Sequence, residues 1–209
     1  MFWNRKPAAN ASLDACMVPP DMEGDAARVE VLRVWIVDGA LHVAMRLPPG
    51  HDDRLWGLVV ADLARHGVRA WVHAGADEAA ATQAIAGGYV RHTKAMRDQP
   101  VDPARVDVHA FAQGDLPPPA AAAPREGAWE VARVWLWQQR IVVSLRPKSL
   151  GETSAWGLLC VDVMRAASFG YARQHGSAMI DALVTARRVF AREWEVPTAE
   201  IEGETLPGA

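Results

Sequence analysis

Asp62, His66 and His73 are the residues whose types and spacing come nearest to a site for chemistry in this chain. At 100° per residue they fall within roughly 40° of one another, so they would line one stripe of an α-helix. Two imidazoles and a carboxylate could bind a transition metal. The alternative is a solvated helix face on which Asp62 and His66 form an i,i+4 pair. We predict no metal and no cofactor, and keep these three residues as the metal candidates.

Tryptophan and arginine recur on one face of two predicted β-hairpins. In the first hairpin, residues 29–37 alternate with strand periodicity, Asp38-Gly39 is a strong signal for a two-residue turn, and residues 40–47 return. The turn fixes a register that pairs Ile36 with Leu41 on an apolar face. The second hairpin repeats this register around Gln138-Gln139. The opposite face, called the Trp/Arg face, comprises Arg33, Trp35, Arg46, Arg133, Trp135 and Arg146.

The Trp/Arg face has two interpretations. A guanidinium stacked on an indole contributes about 0.5–2 kcal/mol, and such a surface could hold a partner protein, a small anionic ligand or single-stranded nucleic acid. It could equally be the place where the two hairpin units meet, and we weight that structural interpretation more heavily.

An internal duplication underlies both hairpins. Residues 30–71 recur at 130–171 without a gap, and 12 of the 42 aligned positions are identical, whereas composition alone predicts about two or three. The pair Trp56-Gly57 recurs as Trp156-Gly157, each time in the first turn of a predicted helix. A glycine there costs about 1 kcal/mol of helix stability. We therefore expect another backbone or an indole to approach this glycine closely. His66 and His73 do not return, so the metal stripe belongs to one copy only.

The fold class that follows is α+β, with two repeated ββαα units whose antiparallel hairpins pack under helices in a pseudo-two-fold arrangement. A unit of about 60 residues is marginal alone, so we expect the two copies to form an intrachain pseudo-dimer. Short alternations at 105–109 and 199–202 could be matching extra strands. The predicted domains are an irregular N-terminal arm (1–27), a first repeat (28–97), a linker with a Pro/Ala-rich stretch (98–127), a second repeat (128–196) and a C-terminal tail (197–209).

Composition narrows the class of function. Half of the 209 residues are apolar and the net charge is −3, so the basic excess of a typical nucleic-acid-binding protein is missing. The two cysteines lack metal-type spacing. The chain shows no signal-peptide pattern and no apolar run of about 20 residues, which predicts a cytoplasmic protein that is not inserted in a membrane. The G-x-S-x-G, P-loop and H-E-x-x-H patterns are missing as well, so we assign no catalytic residue.

Residues 32–43 and 56–66 resemble a family of short, uncharacterised proteobacterial domains of unknown function. The resemblance extends to Val18-Pro19-Pro20 and to the acidic-aromatic end of the last helix at residues 190–195. It implies a tandem copy of a domain that is ordinarily about one repeat long, in a prokaryotic cytoplasm. It implies no activity, so no functional residue is carried over.

The preferred function is a non-catalytic binding or protein-interaction module with the Trp/Arg face as its candidate surface. The alternative is an enzyme or metal-binding protein that uses a cleft between the two repeats, with Asp62, His66 and His73 as the first candidates. Possible partners are a protein or a small anionic ligand.

Overall fold

The computed structural model describes residues 16–122, 127–198 and 202–205. Within them each repeat forms a hairpin, two helices and one further strand, which confirms the α+β class and the ββαα order. The elements are β1 (Val29–Val37), β2 (Ala40–Arg46), α1 (Arg54–His73), α2 (Glu78–Ala95), β3 (Val106–His109), β4 (Trp129–Trp137), β5 (Arg140–Leu145), α3 (Thr153–His175), α4 (Met179–Glu195) and β6 (Glu202–Thr205).

The chain divides into two compact units that cut across the repeats. One unit contains all of these strands, and the other contains the four α-helices. Each unit therefore draws half of its elements from each repeat.

The sheet unit has the strand order β3-β2-β1-β4-β5-β6. The two hairpins join through the antiparallel pair β1–β4, and the outer strands β3 and β6 pair in parallel with β2 and β5. The predicted hairpin register is confirmed, since Ile36 lies opposite Leu41 and Leu136 opposite Ile141. The first predicted extra strand is confirmed as β3. Of the second, at 199–202, only residue 202 lies within the described residues, where it begins β6.

The two hairpin turns reach the same geometry with different residues. Asp38 and Gly39 have φ of 50° and 72°, and Gln138 and Gln139 have φ of 49° and 64°. Glycine adopts this left-handed region freely, whereas glutamine does so at a steric cost. The second hairpin therefore depends more on the strands that it connects.

The helical unit exchanges helices between the repeats. α1 packs mainly on α4, and α2 packs mainly on α3. A Cβ atom added to Gly57 would lie 2.5 Å from the carbonyl oxygen of Ala186, and one added to Gly157 would collide with the backbone of Ile85. The predicted close approach of another backbone to this glycine is confirmed in both copies.

Candidate functional site

Two crossed ion pairs occupy the centre of the Trp/Arg face. The Arg33 Nε donates to Glu130 Oε1 at 2.5 Å, and the Arg133 Nε donates to Glu30 Oε1 at 2.7 Å. Both glutamates are fully buried. Because Arg33 and Arg133 lie opposite each other across β1 and β4, each pair joins one repeat to the other.

A bulge in the central strand pair places these glutamates. The register between β1 and β4 shifts between Glu30 and Leu32, and again where Glu130 meets Trp35. A strict alternation would put Glu30 on the apolar face with Leu32. A bulge changes the face to which a side chain points, and here the Glu30 carboxylate accepts hydrogen bonds from Arg133.

Two segments that we call straps, residues 16–22 and 116–122, complete the hydrogen bonding of the ion pairs. Leu116 N donates to Glu30 Oε2 and Cys16 N donates to Glu130 Oε2, each at 2.6 Å. In return the Arg33 Nη1 donates to Leu116 O at 2.8 Å, and the Arg133 Nη1 donates to Cys16 O at 3.1 Å. Cys16 and Leu116 are thus equivalent residues, at the same offset of 100 that relates residues 30–71 to 130–171.

The straps also cover the tryptophans. Met22 of the first strap packs on Trp135, and Ala122 of the second strap packs on Trp35. Each indole also lies against an arginine of its own strand, with the Arg33 guanidinium carbon 5.5 Å from the Trp35 centroid and that of Arg133 4.8 Å from Trp135. Each strap therefore covers the tryptophan of the other repeat.

Electrostatics in this cluster follow from burial and pairing. Burial raises the pKa of Glu130, and the hydrogen bond and charge of Arg33 oppose that rise. Desolvation lowers the pKa of Arg133, but the hydrogen bond and charge of Glu30 outweigh it and raise the value above its usual range. The cluster is held together by mutual charge compensation inside a region shielded from water.

Five of the six residues of the Trp/Arg face are buried, and Arg146 is half-buried. Arg46 also binds the protein's own backbone, since its Nη1 donates to Ala112 O at 2.5 Å and to Gly114 O at 3.0 Å. The role of these six residues in binding stays a prediction. None of the six is exposed enough to form a surface that a partner could contact directly. The structural interpretation fits the contacts that join the repeats.

The three metal candidates are not brought together as a set of ligands. His66 is fully buried with Nδ1 2.9 Å from the backbone oxygen of Asp62, the Asp62 carboxylate lies 3.4 Å from Arg65, and His73 is exposed at the end of α1. Throughout the part of the chain that the structure describes, no group of three or more His, Cys, Asp or Glu side chains could hold a metal ion.

Two equivalent polar pairs in the helical unit were not predicted. His92 Nε2 lies 2.9 Å from Asp162 Oδ1, and the corresponding Asp62 has Glu193 near it. Desolvation raises the pKa of Asp62 to about 6, with Glu193 adding to the rise and Arg65 opposing it. Glu193 Oε2 also accepts hydrogen bonds from Thr198 N and Oγ1 at 3.0 and 2.8 Å. The repeated aspartate was the only sequence signal, because its partners come from helices paired by packing.

These pairs show that each residue of α2 corresponds to the residue 101 positions later in α4. His92 corresponds to Glu193, and Ile85, beside Gly157, corresponds to Ala186, beside Gly57. The offset allows the exposed faces of the two helices to be compared. On α4, Ile180 and Val184 are 60% and 46% exposed.

The equivalent residues on α2 are Ala79 and Gln83, which are also exposed. Large exposed apolar side chains at these two positions are therefore particular to the second repeat, whereas the exposed Val90 of α2 corresponds to Ala191. We call the exposed apolar residues of α4 the α4 stripe, which comprises Ile180, Val184 and Ala191.

Comparison with known proteins settles the family. Residues 15–95 and 115–198 each match the family described as Domain of unknown function (DUF5076), and together the two segments span most of the chain. The chain belongs to this family. It carries the DUF5076 domain twice, and both matched segments include a strap, so the straps are part of the domain. The predicted tandem duplication of an uncharacterised domain is confirmed.

Neither the curated proteins nor the solved structures contain a match to this chain. Within residues 16–122, 127–198 and 202–205, no helix combines the length and apolar character that crossing a bilayer requires.

Proposed function

We propose that this protein is a non-catalytic interaction module that binds an apolar segment of a partner protein through the α4 stripe. The exposure of Ile180 and Val184 carries the proposal. They lie four residues apart on one side of α4, while Leu183, Ala186 and Phe190 on the other side are buried. Neighbouring exposed apolar side chains with polar residues around them are typical of protein contact surfaces.

The sister helix supports a role beyond folding. α2 forms the same type of contact with the other repeat, through the backbone around Ile85, and has Ala79 and Gln83 at the equivalent exposed positions. The fold therefore does not require large apolar side chains there. Ile180 and Val184 are explained more directly by a partner than by stability.

The buried Trp/Arg face supports the same choice. Its arginines donate to Glu30, Glu130 and backbone oxygens within the sheet unit. An anionic ligand would have to displace these buried partners, which would leave charges uncompensated. A protein partner on the helical unit needs no such rearrangement.

The test replaces the stripe by the residues of its sister helix. We expect the double variant Ile180→Ala/Val184→Gln to keep its free energy of unfolding within about 0.5 kcal/mol of wild type, and to lose a partner that immobilised wild-type protein retains. Val90→Gln is the matched control, because Val90 is 51% exposed on α2.

The partner is then purified and its binding measured by calorimetry against all three proteins. Equal binding by wild type and the double variant would refute the proposal. Sedimentation of the wild-type protein alone identifies the remaining alternative, in which a second copy of this chain occupies the stripe.

A further inference from the structure

We infer that the partner segment is an acidic amphipathic α-helix that lies along α4. This inference rests on the proposed function and adds the chemistry of the partner. It is carried by three arginines beside the α4 stripe and by the length and shape of the stripe.

The arginines give the stripe a positive border. At 100° per residue, Arg187 extends the line of Ile180 and Val184, and Arg188 and Arg192 lie along one side of it. Arg188 and Arg192 are exposed. Neither of them takes part in an ion pair with any residue of the described ranges. Within those ranges, their charges can therefore pair with a carboxylate that a partner brings.

The sister helix again provides the comparison. At the offset of 101, Ala86 and Gly87 of α2 correspond to Arg187 and Arg188, and only Arg192 has a basic counterpart, Arg91. The second repeat therefore has two added positive charges in the middle of the helix, of which Arg187 is half-buried, next to its two added apolar side chains. At the ends of the same side, Asp181 and Glu195 stand where α2 has Ala80 and Lys94. Charge and apolar surface coincide on one helix face, which is the composition that an acidic, apolar segment complements.

Length and shape favour a helical partner. From Ile180 to Ala191 the stripe runs roughly 16 Å at 1.5 Å per residue, which is about three helical turns. The small Ala191 at its end allows close approach of another backbone. Side chains spaced i,i+4 form a ridge that fits the groove of a second helix, and a helix in such a contact presents apolar side chains at i, i+3, i+4 and i+7.

A membrane surface or a nucleic acid fits less well. Asp181 and Glu195 are exposed at the two ends of the same side of α4, where they would face phosphates. The aromatic residues Phe190 and Trp194 stack on each other, with centroids 6.0 Å apart, and Phe190 is buried, so it cannot insert into an interface. On this side of α4, positive charge lies in the middle and negative charge at the two ends. A protein segment whose acidic residues meet the middle of the helix fits this distribution better than a uniformly negative surface does.

The experiment uses the full chain and a displayed library of helical peptides. Each peptide has about 14 residues, or about four turns, with leucine fixed at i, i+3, i+4 and i+7 and with Glu, Lys, Gln or Ser at the other positions. The library is selected on wild-type protein and, in parallel, on Ile180→Ala/Val184→Gln, on Arg188→Glu/Arg192→Glu and on Arg91→Glu. The last is the matched charge reversal on α2.

We expect wild type and Arg91→Glu to enrich peptides rich in Glu, Arg188→Glu/Arg192→Glu to enrich peptides rich in Lys, and Ile180→Ala/Val184→Gln to enrich neither. A selected Glu-rich peptide should bind wild type about tenfold more tightly than it binds the charge-reversed variant, since each exposed pair is worth a small factor. Added salt should reduce that difference.

Enrichment without charge bias, lost only in the apolar variant, would overturn the acidic assignment while leaving the docking stripe in place. No enrichment on any protein would overturn the helical partner, and the capture experiment above would then decide separately whether the stripe binds protein at all. Binding of wild type to phosphatidylglycerol vesicles but to no peptide would overturn the inference in favour of a membrane surface.

Discussion

Removing the Arg133 guanidinium should destabilise the protein more than any surface substitution. Glu30 is fully buried, and Arg133 donates two of its hydrogen bonds, from Nε at 2.7 Å and from Nη2 at 2.9 Å. In Arg133→Met this carboxylate would keep the backbone donor of Leu116 and the more distant Arg33 at 3.6 Å. Leaving one member of a buried ion pair uncompensated costs about 3–5 kcal/mol.

That amount is a large share of the about 5–15 kcal/mol that stabilises a typical domain. Urea unfolding followed by the fluorescence of the buried tryptophans would measure it, with equal m-values required before midpoints are converted to free energies. Arg54→Ala is the control, because Arg54 lies 3.8 Å from Asp52 with both side chains mostly exposed. We expect that control to change the free energy of unfolding by about 0.5 kcal/mol or less.

The double variant Glu30→Leu/Arg133→Met removes both charges of the pair, whereas Arg133→Met leaves the Glu30 carboxylate without its main partner. Comparing the two separates the cost of losing the ion pair from the cost of an unpaired buried charge. Replacing a whole buried pair by apolar residues of similar volume is often nearly neutral. We therefore expect the double variant to be more stable than Arg133→Met alone. A cost of under about 1 kcal/mol for Arg133→Met would refute the reasoning, because it would mean that water reaches Glu30. Retained stability together with loss of a ligand would restore the Trp/Arg face as a binding surface.

Three further outcomes follow from local contacts. Gly88→Ala should destabilise the protein by about 1–3 kcal/mol, because the new Cβ would collide with the backbone of Ser154. Gly87→Ala should be neutral or stabilising, because its Cβ would meet only the end of an arginine side chain. Equal effects of the two substitutions in urea unfolding would contradict this expectation. Desolvation raises the pKa of Asp62 to about 6, so its carboxyl contributes stability that is fully present below about pH 4 and is lost as pH rises through 6. Between pH 4 and 7 the free energy of unfolding should fall by up to about 3 kcal/mol less in Asp62→Asn than in wild type, and an equal fall in the two proteins would argue against this assignment. Burial raises the pKa of Cys160 to about 12, so a thiol reagent at pH 8 should label it only after unfolding, and rapid labelling of the folded protein would be inconsistent with its burial.

Elements and hairpin register could be predicted because their signals are local. Alternation and a two-residue turn together specify which residues face each other, and Ile36 does lie opposite Leu41. The glycine of Trp56-Gly57 was equally informative, since a helix-disfavouring residue repeated in the first turn has few explanations besides close packing. These inferences required no knowledge of which helix makes the contact.

The ion pairs and straps could not be predicted, because they depend on a bulge and on long-range contacts. Glu30 and Glu130 stand in the apolar register of their strands, and only the shift between β1 and β4 directs them to the arginines. A charged residue repeated inside an apolar alternation was the available signal. The straps share little sequence beyond Pro19 and Pro119, and their equivalence lies in backbone hydrogen bonds, which any residue type can make.

Fusion of two copies in one chain changes which positions can differ. Residues that join the repeats, such as Arg33 and Arg133, each depend on a partner in the other repeat, so a change on one side breaks a buried contact. Exposed positions have no such constraint, and a substitution there alters only one side of the molecule. In a symmetric homodimer the apolar side chain of Ile180 would appear twice, whereas here its sister position holds Ala79. A single-sided surface is what a module needs if it is to bind one partner segment per chain, and the difference between α4 and α2 is therefore where an interaction function should first be sought.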